Sequence, residues 1–184
     1  SSNLSELTDI GLRTFEGLDI RMVIDLRSAS EIESDPDRLS AGVDYHNIEL
    51  ENALAAPFLE ALETGDTSEL TFDDIVQLYS DFYISNREQY QQILARVMSA
   101  DNRPFDIHCT GGVSRTGFTV ALIQLVLGVT ETSVMDDFLL SNEATASSLP
   151  ETLATFRQMI IDNTGQEPTD EDMENLTNFA TVHA

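Results

Sequence analysis

Short apolar runs alternate along this chain with longer stretches of helical periodicity, the pattern of strands set among helices. Leu4 to Leu18 spaces Leu, Ile and Phe at helical intervals, with Thr8 placed to cap the start and Gly17 to stop it. Ile20 to Leu26 (IRMVIDL) is apolar and β-branched and predicts a strand that ends at Arg27-Ser28. Ser30 to Ser40, with Asp35-Pro36-Asp37 inside it, predicts a loop, or a short helix followed by a turn. Val43 to Leu50 (VDYHNIEL) alternates loosely and predicts a second strand, and residues 51 to 70 mix Ala, Pro, Gly and acids as a mobile excursion would. Thr71 with Asp74 makes a weak capping box for one helix, and Ser85 with Glu88 starts another that runs to about Ala100 and stops at Asp101-Asn102-Arg103-Pro104. Pro104 to Ile107 predicts a buried strand. Phe118 to Leu127 is too long an apolar run for a strand and ends at Gly128, so it predicts a buried helix. Three more helices follow: from Thr130 or Thr132 through Leu140, from Leu149 to Asn163 with Asn163-Thr164-Gly165 as the stop, and from Thr169 to Val182. No internal repeat and no Pro- or Ser-rich linker divides the chain, so one domain over residues 1–184 is expected.

Composition narrows the function classes. With 184 residues the chain can bury a sizeable core, and its longest apolar run holds Gln124, so no membrane insertion is expected. Thirty-three acids face nine basic residues, all Arg, for a formal charge of −24. Such a surface serves solubility and repels polyanions, which argues against nucleic acid and anionic membranes as partners. A phosphorylated substrate would meet the same repulsion, so its capture should improve with moderate salt. A single Cys excludes an internal disulfide, and with three His and no HExxH or CxxC neither a metal site nor another cofactor is expected. The chain opens at Ser1-Ser2-Asn3 without Met, and its last helix ends without a strong cap. Both features suggest trimming at each end and leave the compartment open between cytoplasmic and exported.

That one cysteine sits at a strand-to-helix junction, in Ile107-His108-Cys109-Thr110-Gly111-Gly112-Val113-Ser114-Arg115-Thr116-Gly117. A strand, a tight Gly-containing loop and a helix start bring loop N–H groups and the positive helix end to one point, an anion cradle. Hydrolysis of a phosphate monoester can be split by forming a phospho-intermediate on a thiolate. A free thiol, with a pKa of about 8.5, is only a few per cent ionised at neutrality, and the loop amides, the helix end and Arg115 all favour the anion. Thr110, Gly111, Gly112, Val113, Ser114 and Arg115 can curl their N–H groups round three phosphate oxygens. The two glycines would allow the backbone angles and the close approach. Arg115 would hold two oxygens side by side and follow the spreading charge. Thr116 could offer its hydroxyl to the sulfur, and His108 would orient the nucleophile through a backbone hydrogen bond. Singly, each residue has a plainer use: an inert buried thiol, a turn, a solvated Arg. Together, a Cys and an Arg with five residues between them, across a Gly turn at a strand–helix junction, point to phosphate chemistry.

HCTGGVSRTG resembles the His-Cys-x-x-Gly-x-x-Arg-Ser/Thr signature of cysteine-dependent protein tyrosine phosphatases. Val23-Ile24-Asp25-Leu26-Arg27-Ser28, with Glu31 and Pro36-Asp37 after it, resembles the bacterial group of these enzymes that carries an Ile-Asp-Leu-Arg strand, over most of residues 4 to 145. The resemblance implies an α/β fold with a mainly parallel central sheet flanked by helices on both faces. It implies Cys109 as nucleophile, Arg115 as phosphate clamp and Thr116 as helper, acting on a phosphotyrosine-containing protein or peptide and releasing inorganic phosphate. Three departures matter. Val113 and Ser114 stand where many members of the group carry Lys-Asp, and a loop without Lys favours phosphotyrosine over phosphoinositides. The group's N-terminal Arg-Asp-Leu-Gly-Gly segment and its C-terminal continuation are also absent. The general acid that protonates the leaving phenolate is expected at Glu49, with Glu51, Asp73 and Asp74 as alternatives. Asp25 and Arg27 are expected to brace the cradle from behind, Arg27 through Glu31. The competing readings are a pseudophosphatase that binds phosphoprotein without turnover, a dual-specificity or phosphoinositide phosphatase, and less well a sulfurtransferase or arsenate reductase.

Overall fold

In a computed structural model, which describes residues 1–51, 55–99 and 104–181, a small parallel sheet is set among helices. The expected stop at residues 101–103, the helix end at Ala100, residues 52–54 of the expected excursion and the helix end at Val182 lie outside the described residues. In chain order the elements are α1 (Asp9–Gly17), β1 (Met22–Asp25), α2 (Ala29–Ser34), β2 (Asp44–Asn47), α3 (Ala55–Thr64), α4 (Phe72–Ser85), α5 (Arg87–Val97), β3 (Phe105–His108), α6 (Ser114–Val126), α7 (Glu131–Thr145), α8 (Leu149–Thr164) and α9 (Asp170–Ala180). These gather into two compact units. One holds Ser1–Glu51 and Asn86–Thr130, and the other holds the described residues between Glu51 and Asn86 and after Thr130.

The first unit contains the sheet, in the order β2-β1-β3 with both pairs parallel. Its central strand is buried from end to end, as a strand with neighbours on both sides and cover on both faces must be. Val23 packs with Leu4 and Phe15 of the amino-terminal segment, while Met22 and Ile24 project from the opposite face. β1 and β2 are shorter than the runs that announced them, because a ladder ends where its neighbour turns away. Thr8 caps α1 as expected, its hydroxyl accepting the Gly11 N–H at 3.1 Å. Asn86, not Ser85, precedes α5. The Ser85 hydroxyl turns back to the Asp81 carbonyl at 2.9 Å, and the Asn86 side chain accepts the Glu51 N–H at 3.1 Å.

Two expectations need correction. The apolar run after the cradle is a helix, but it is not buried throughout: Leu125, Val126 and Leu127 are 45%, 53% and 64% exposed. The buried face of α6 is formed by Arg115, Thr116 and Thr119 at its start instead. The stretch expected to be a mobile excursion contains α3. Its Ala61 and Leu62 belong to the core of the second unit with Leu70, Ile160 and Leu176, and Phe58 stacks on Phe179 at 4.1 Å between ring centroids. There Thr169 and Asp172 form the capping box of α9, and Gly165, in the left-handed region at φ 71°, closes α8. Among the described residues no helix is long and apolar enough to cross a membrane.

Candidate active site

Parallel pairing in register places Asp25, Asn47 and His108 side by side at the carboxyl edge of the sheet. The ladder runs on a little: Leu26 N–H to the His108 carbonyl at 2.9 Å, Ile48 N–H to that of Asp25 at 2.9 Å, and Leu50 N–H to that of Leu26 at 3.1 Å. Open parallel sheets hold their ligands beyond this edge. Here β3 leaves the sheet at Cys109, turns through 110–113 and enters α6.

The turn depends on one glycine. Gly112 has φ +74°, and a Cβ there would lie 2.7 Å from the Ser1 carbonyl and the Ser2 nitrogen. Gly111 has an ordinary φ and open space around it, so the pair of glycines divides into one required and one permitted. The Gly112 N–H points at the Cys109 sulfur from 3.2 Å, and that sulfur is almost wholly buried. Residues 1–3 run beside the loop: Asn3 N–H donates to the Thr110 carbonyl at 3.1 Å. The Thr116 hydroxyl donates to the Ser1 carbonyl at 3.4 Å rather than to the sulfur. Val113 is the residue before α6 and Ser114 its first.

Arg115 is buried and held by Glu31 of α2. Its Nη1 and Nη2 donate to Glu31 Oε2 and Oε1 at 2.8 and 2.6 Å, and Nη2 also reaches the Thr110 hydroxyl at 3.2 Å. That hydroxyl in turn donates to Glu31 Oε1 at 2.5 Å. Among the described residues the Arg115 Nε–H has no partner, so one edge of the guanidinium remains open to an anion. Glu31 also closes the N-terminus of α2, accepting the Ser28 N–H at 2.8 Å while its own N–H donates to the Ser28 hydroxyl. The hydrogen bonds from Arg115, against the opposing effect of burial, and those from Thr110 and Ser28 hold its carboxyl far below the usual carboxylate range. Burial opposes the charge on Arg115, and Glu31 more than restores it.

Behind the loop lies a second charged group, almost sealed from solvent. Arg27 grips Asp25, with Nε 3.0 Å from Oδ1 and Nη2 2.8 Å from Oδ2, and its Nη2 is 2.9 Å from Asp37. His108 lies next to both acids, its Nε2 3.1 Å from Asp37 and its Nδ1 3.9 Å from Asp25. Nδ1 also lies 3.2 Å from the Cys109 carbonyl, the backbone contact expected for orienting the nucleophile. The Tyr45 phenol donates to Asp25 at 2.8 Å, and burial together with that carboxylate pushes its pKa up. Two carboxylates and one guanidinium leave a deficit of one positive charge in a nearly dry site, which a protonated His108 supplies. Burial opposes that proton, but Asp37, Asp25 and the Cys109 carbonyl outweigh it and raise the imidazole above its ordinary value. Among the described residues Asp25, Asp37 and His108 are also the acids and imidazole close enough to share an ion, but the Arg27 guanidinium already bridges the two carboxylates.

The bracing role expected for Asp25 and Arg27 therefore holds, with a different partner. Arg27 points inward to Asp25 and Asp37, and Glu31, fixed at the start of α2, points to Arg115. Sequence reasoning assigned Glu31 to Arg27 and gave Asp37 no role, whereas Glu31 holds Arg115 and Asp37 meets Arg27 and His108. Ser28-Ala29-Ser30-Glu31 is a capping-box pattern directly after the strand, and that signal alone would have put a carboxylate at this edge. Glu49 follows β2 at the same edge, exposed, with no hydrogen bond to the loop among the described residues. Asp73 and Asp74 open α4 in the other unit.

The profile of the family described as "Tyrosine phosphatase family" matches residues 1–184, so the similarity expected to fade after residue 145 continues to the end. The chain belongs to that family. Among its tyrosine phosphatase relatives is the triple specificity protein phosphatase PtpB of Mycobacterium tuberculosis, 32% identical over 182 residues. A putative tyrosine-protein phosphatase of Cupriavidus necator is 27% identical over 149 residues, and a tyrosine-protein phosphatase of Nostoc commune 24% over 143. These alignments take in 87%, 79% and 77% of this chain, but 64%, 53% and 47% of the relatives' own lengths.

Proposed function

We propose that this member of the tyrosine phosphatase family hydrolyses phosphate monoesters, phosphotyrosine in proteins foremost, through a phosphocysteine. The observation that carries this is the single cysteine held under the Gly112 N–H, with a buried Arg115 at the start of the following helix. In the first step the Cys109 thiolate attacks phosphorus, an S–P bond forms, and the P–O bond to the phenol breaks. The departing phenolate takes a proton from the general acid. In the second, water attacks the same phosphorus, the S–P bond breaks with its electrons returning to sulfur, and inorganic phosphate leaves. The water's proton goes to the group that gave one up in the first step.

Arg115 meets the phosphoryl oxygens in both steps, and the N–H groups from Thr110 to Ser114 and Arg115 itself line the rest of the seat. Thr116 assists departure of the sulfur in the second step, which requires its hydroxyl to turn from the Ser1 carbonyl. Glu49 is the proposed acid, since it is exposed at the carboxyl edge, in the segment that extends the ladder beside β1. The family match spans both compact units without a break, which supports treating residues 1–184 as one phosphatase domain. A wider specificity is the second reading, favoured by the printed name of the PtpB relative. The uncharged Val113 and Ser114 weigh against inositol phosphates.

The test is hydrolysis of an aryl phosphate without added metal. Cys109→Ser should abolish it, and a variant that kept its rate would end the proposal. A pH–rate profile for Glu49→Gln should lose its basic limb and about 10²-fold or more in kcat. An unchanged profile moves the acid elsewhere.

A further inference from the structure

The phosphate loop has a neighbour. A cleft of about 500 Å³ is lined by Thr110, the residue after the nucleophile, by the exposed Glu6 and Asp35, and by Ser2, Asn3, Ser5 and Leu7. A phosphoryl group seated on the loop leaves the rest of its substrate beyond the carboxyl edge of the sheet, and Thr110 of that loop also lines this cleft. The cleft is polar, its charged side chains are both acids, and no basic residue lines it. The other acids near the loop are committed: Glu31 to Arg115, and Asp25 and Asp37 to Arg27 and His108. Glu6 and Asp35 have no side-chain partner among the described residues. Two unpaired, exposed carboxylates in an open cleft that shares Thr110 with the loop suit a guanidinium or an ammonium, and a guanidinium best, since its planar fork matches a carboxylate. A residue next to phosphotyrosine in an extended peptide sits about 3.5 Å along the chain, and a long basic side chain spans the remaining distance.

Resting on the phosphotyrosine reading, we propose that this cleft receives a basic side chain, Arg foremost, that flanks the phosphotyrosine of the peptide substrate. The whole-body charge of −24 favours cationic peptides anywhere on the surface, so the test must separate the cleft from the background. Three phosphotyrosine peptides of equal length, with Arg, Ala or Glu on each side of the phosphotyrosine, are measured at 150 mM salt. Binding is read by fluorescence anisotropy on proteins carrying Cys109→Ser, so that it does not depend on turnover. Aryl phosphate hydrolysis is read on the same set with Cys109 intact. The cleft pair is Glu6→Gln with Asp35→Asn. The control pair, Glu16→Gln with Asp19→Asn, removes as many charges at the end of α1 and before β1, the opposite edge of the sheet.

An exposed carboxylate–guanidinium contact changes affinity roughly 1.5- to 5-fold. The Arg peptide should therefore outbind the Glu peptide by about 3- to 20-fold in the parent, and the preference should survive in the control pair. In the cleft pair it should drop to within about twofold, with aryl phosphate hydrolysis and thermal stability unchanged. A parent without preference, a preference that survives in the cleft pair, or an equal loss in both pairs overturns the proposal. Failure of the parent to hydrolyse aryl phosphate refutes the hydrolytic reading instead, and the binding ratios still decide the cleft.

Discussion

Removing Glu31 should damage stability and catalysis together, because one carboxylate joins the start of α2, the Thr110 hydroxyl and the Arg115 guanidinium. The Arg115 side chain is 8% exposed and that of Glu31 31%. Breaking a fully buried pair costs about 3–5 kcal/mol, because the remaining charge is stranded. Here Glu31 is partly solvated, and Arg115 keeps the Leu26 carbonyl at 3.4 Å and the Thr110 hydroxyl at 3.2 Å, so about 1–2 kcal/mol is the better expectation. Loss of the Ser28 N–H acceptor adds roughly 0.5 kcal/mol. Glu31→Ala should therefore lose about 2–3 kcal/mol in urea unfolding at pH 7, and Glu31→Gln, which keeps one oxygen in place, about 1 kcal/mol. With the plane of Arg115 no longer fixed, kcat/KM on an aryl phosphate should fall about 10- to 100-fold in Glu31→Ala. The carboxyl is depressed in the folded protein, so its contribution is present above the unfolded value near 4.3 and is lost as pH falls through the folded one. The stability gap between parent and Glu31→Gln should stay flat from neutrality to about pH 5 and close only in stronger acid. A Glu31→Ala protein within about 0.5 kcal/mol of the parent, with its rate within twofold, would refute the account of Glu31 as the residue that holds Arg115.

Other consequences are as direct. The His108 imidazole is raised above its ordinary value of about 6.5, so its contribution is full below that pH and fades as pH rises through the folded value. The imidazole resonances in NMR should titrate above 6.5 in the parent and at lower pH in Asp37→Asn, which should also lose roughly 3 kcal/mol of stability; an unmoved midpoint would remove Asp37 from the network. Gly112→Ala must place a side chain at φ +74° against the Ser1 and Ser2 backbone, and should lose about 1–2 kcal/mol or more and loosen residues 1–3 toward protease. Gly111→Ala should stay within about 1 kcal/mol, and equal effects at the two glycines would contradict the turn described. KM for an aryl phosphate should fall as salt rises from about 10 to 150 mM, since screening relieves repulsion from the acidic body; a KM that rises instead would show that local attraction governs capture.

Local chemistry determined a good deal of this protein before any tertiary contact was known. The apolar run around Val23 and Ile24 announces a buried strand, Thr8 and Thr169 announce helix starts, and Cys109 to Arg115 announces a strand, a tight turn and a helix with phosphate chemistry in its residue types. In each case the signal and its cause lie within a few residues of one another. What the tertiary structure alone decided is which charge meets which. Arg27 turned inward to Asp25 and Asp37, and Glu31, expected to serve it, took Arg115 instead. Strand ends were set by where the neighbouring strands part, so β1 and β2 are each four residues long although the runs around them are longer. The apolar end of α6 is exposed while its polar start is buried, because the loop and the Glu31 contact hold that start against the sheet edge. Periodicity records which positions are apolar and how the backbone repeats. It carries no record of the direction a long charged side chain takes, and that direction follows from which partners burial leaves within reach.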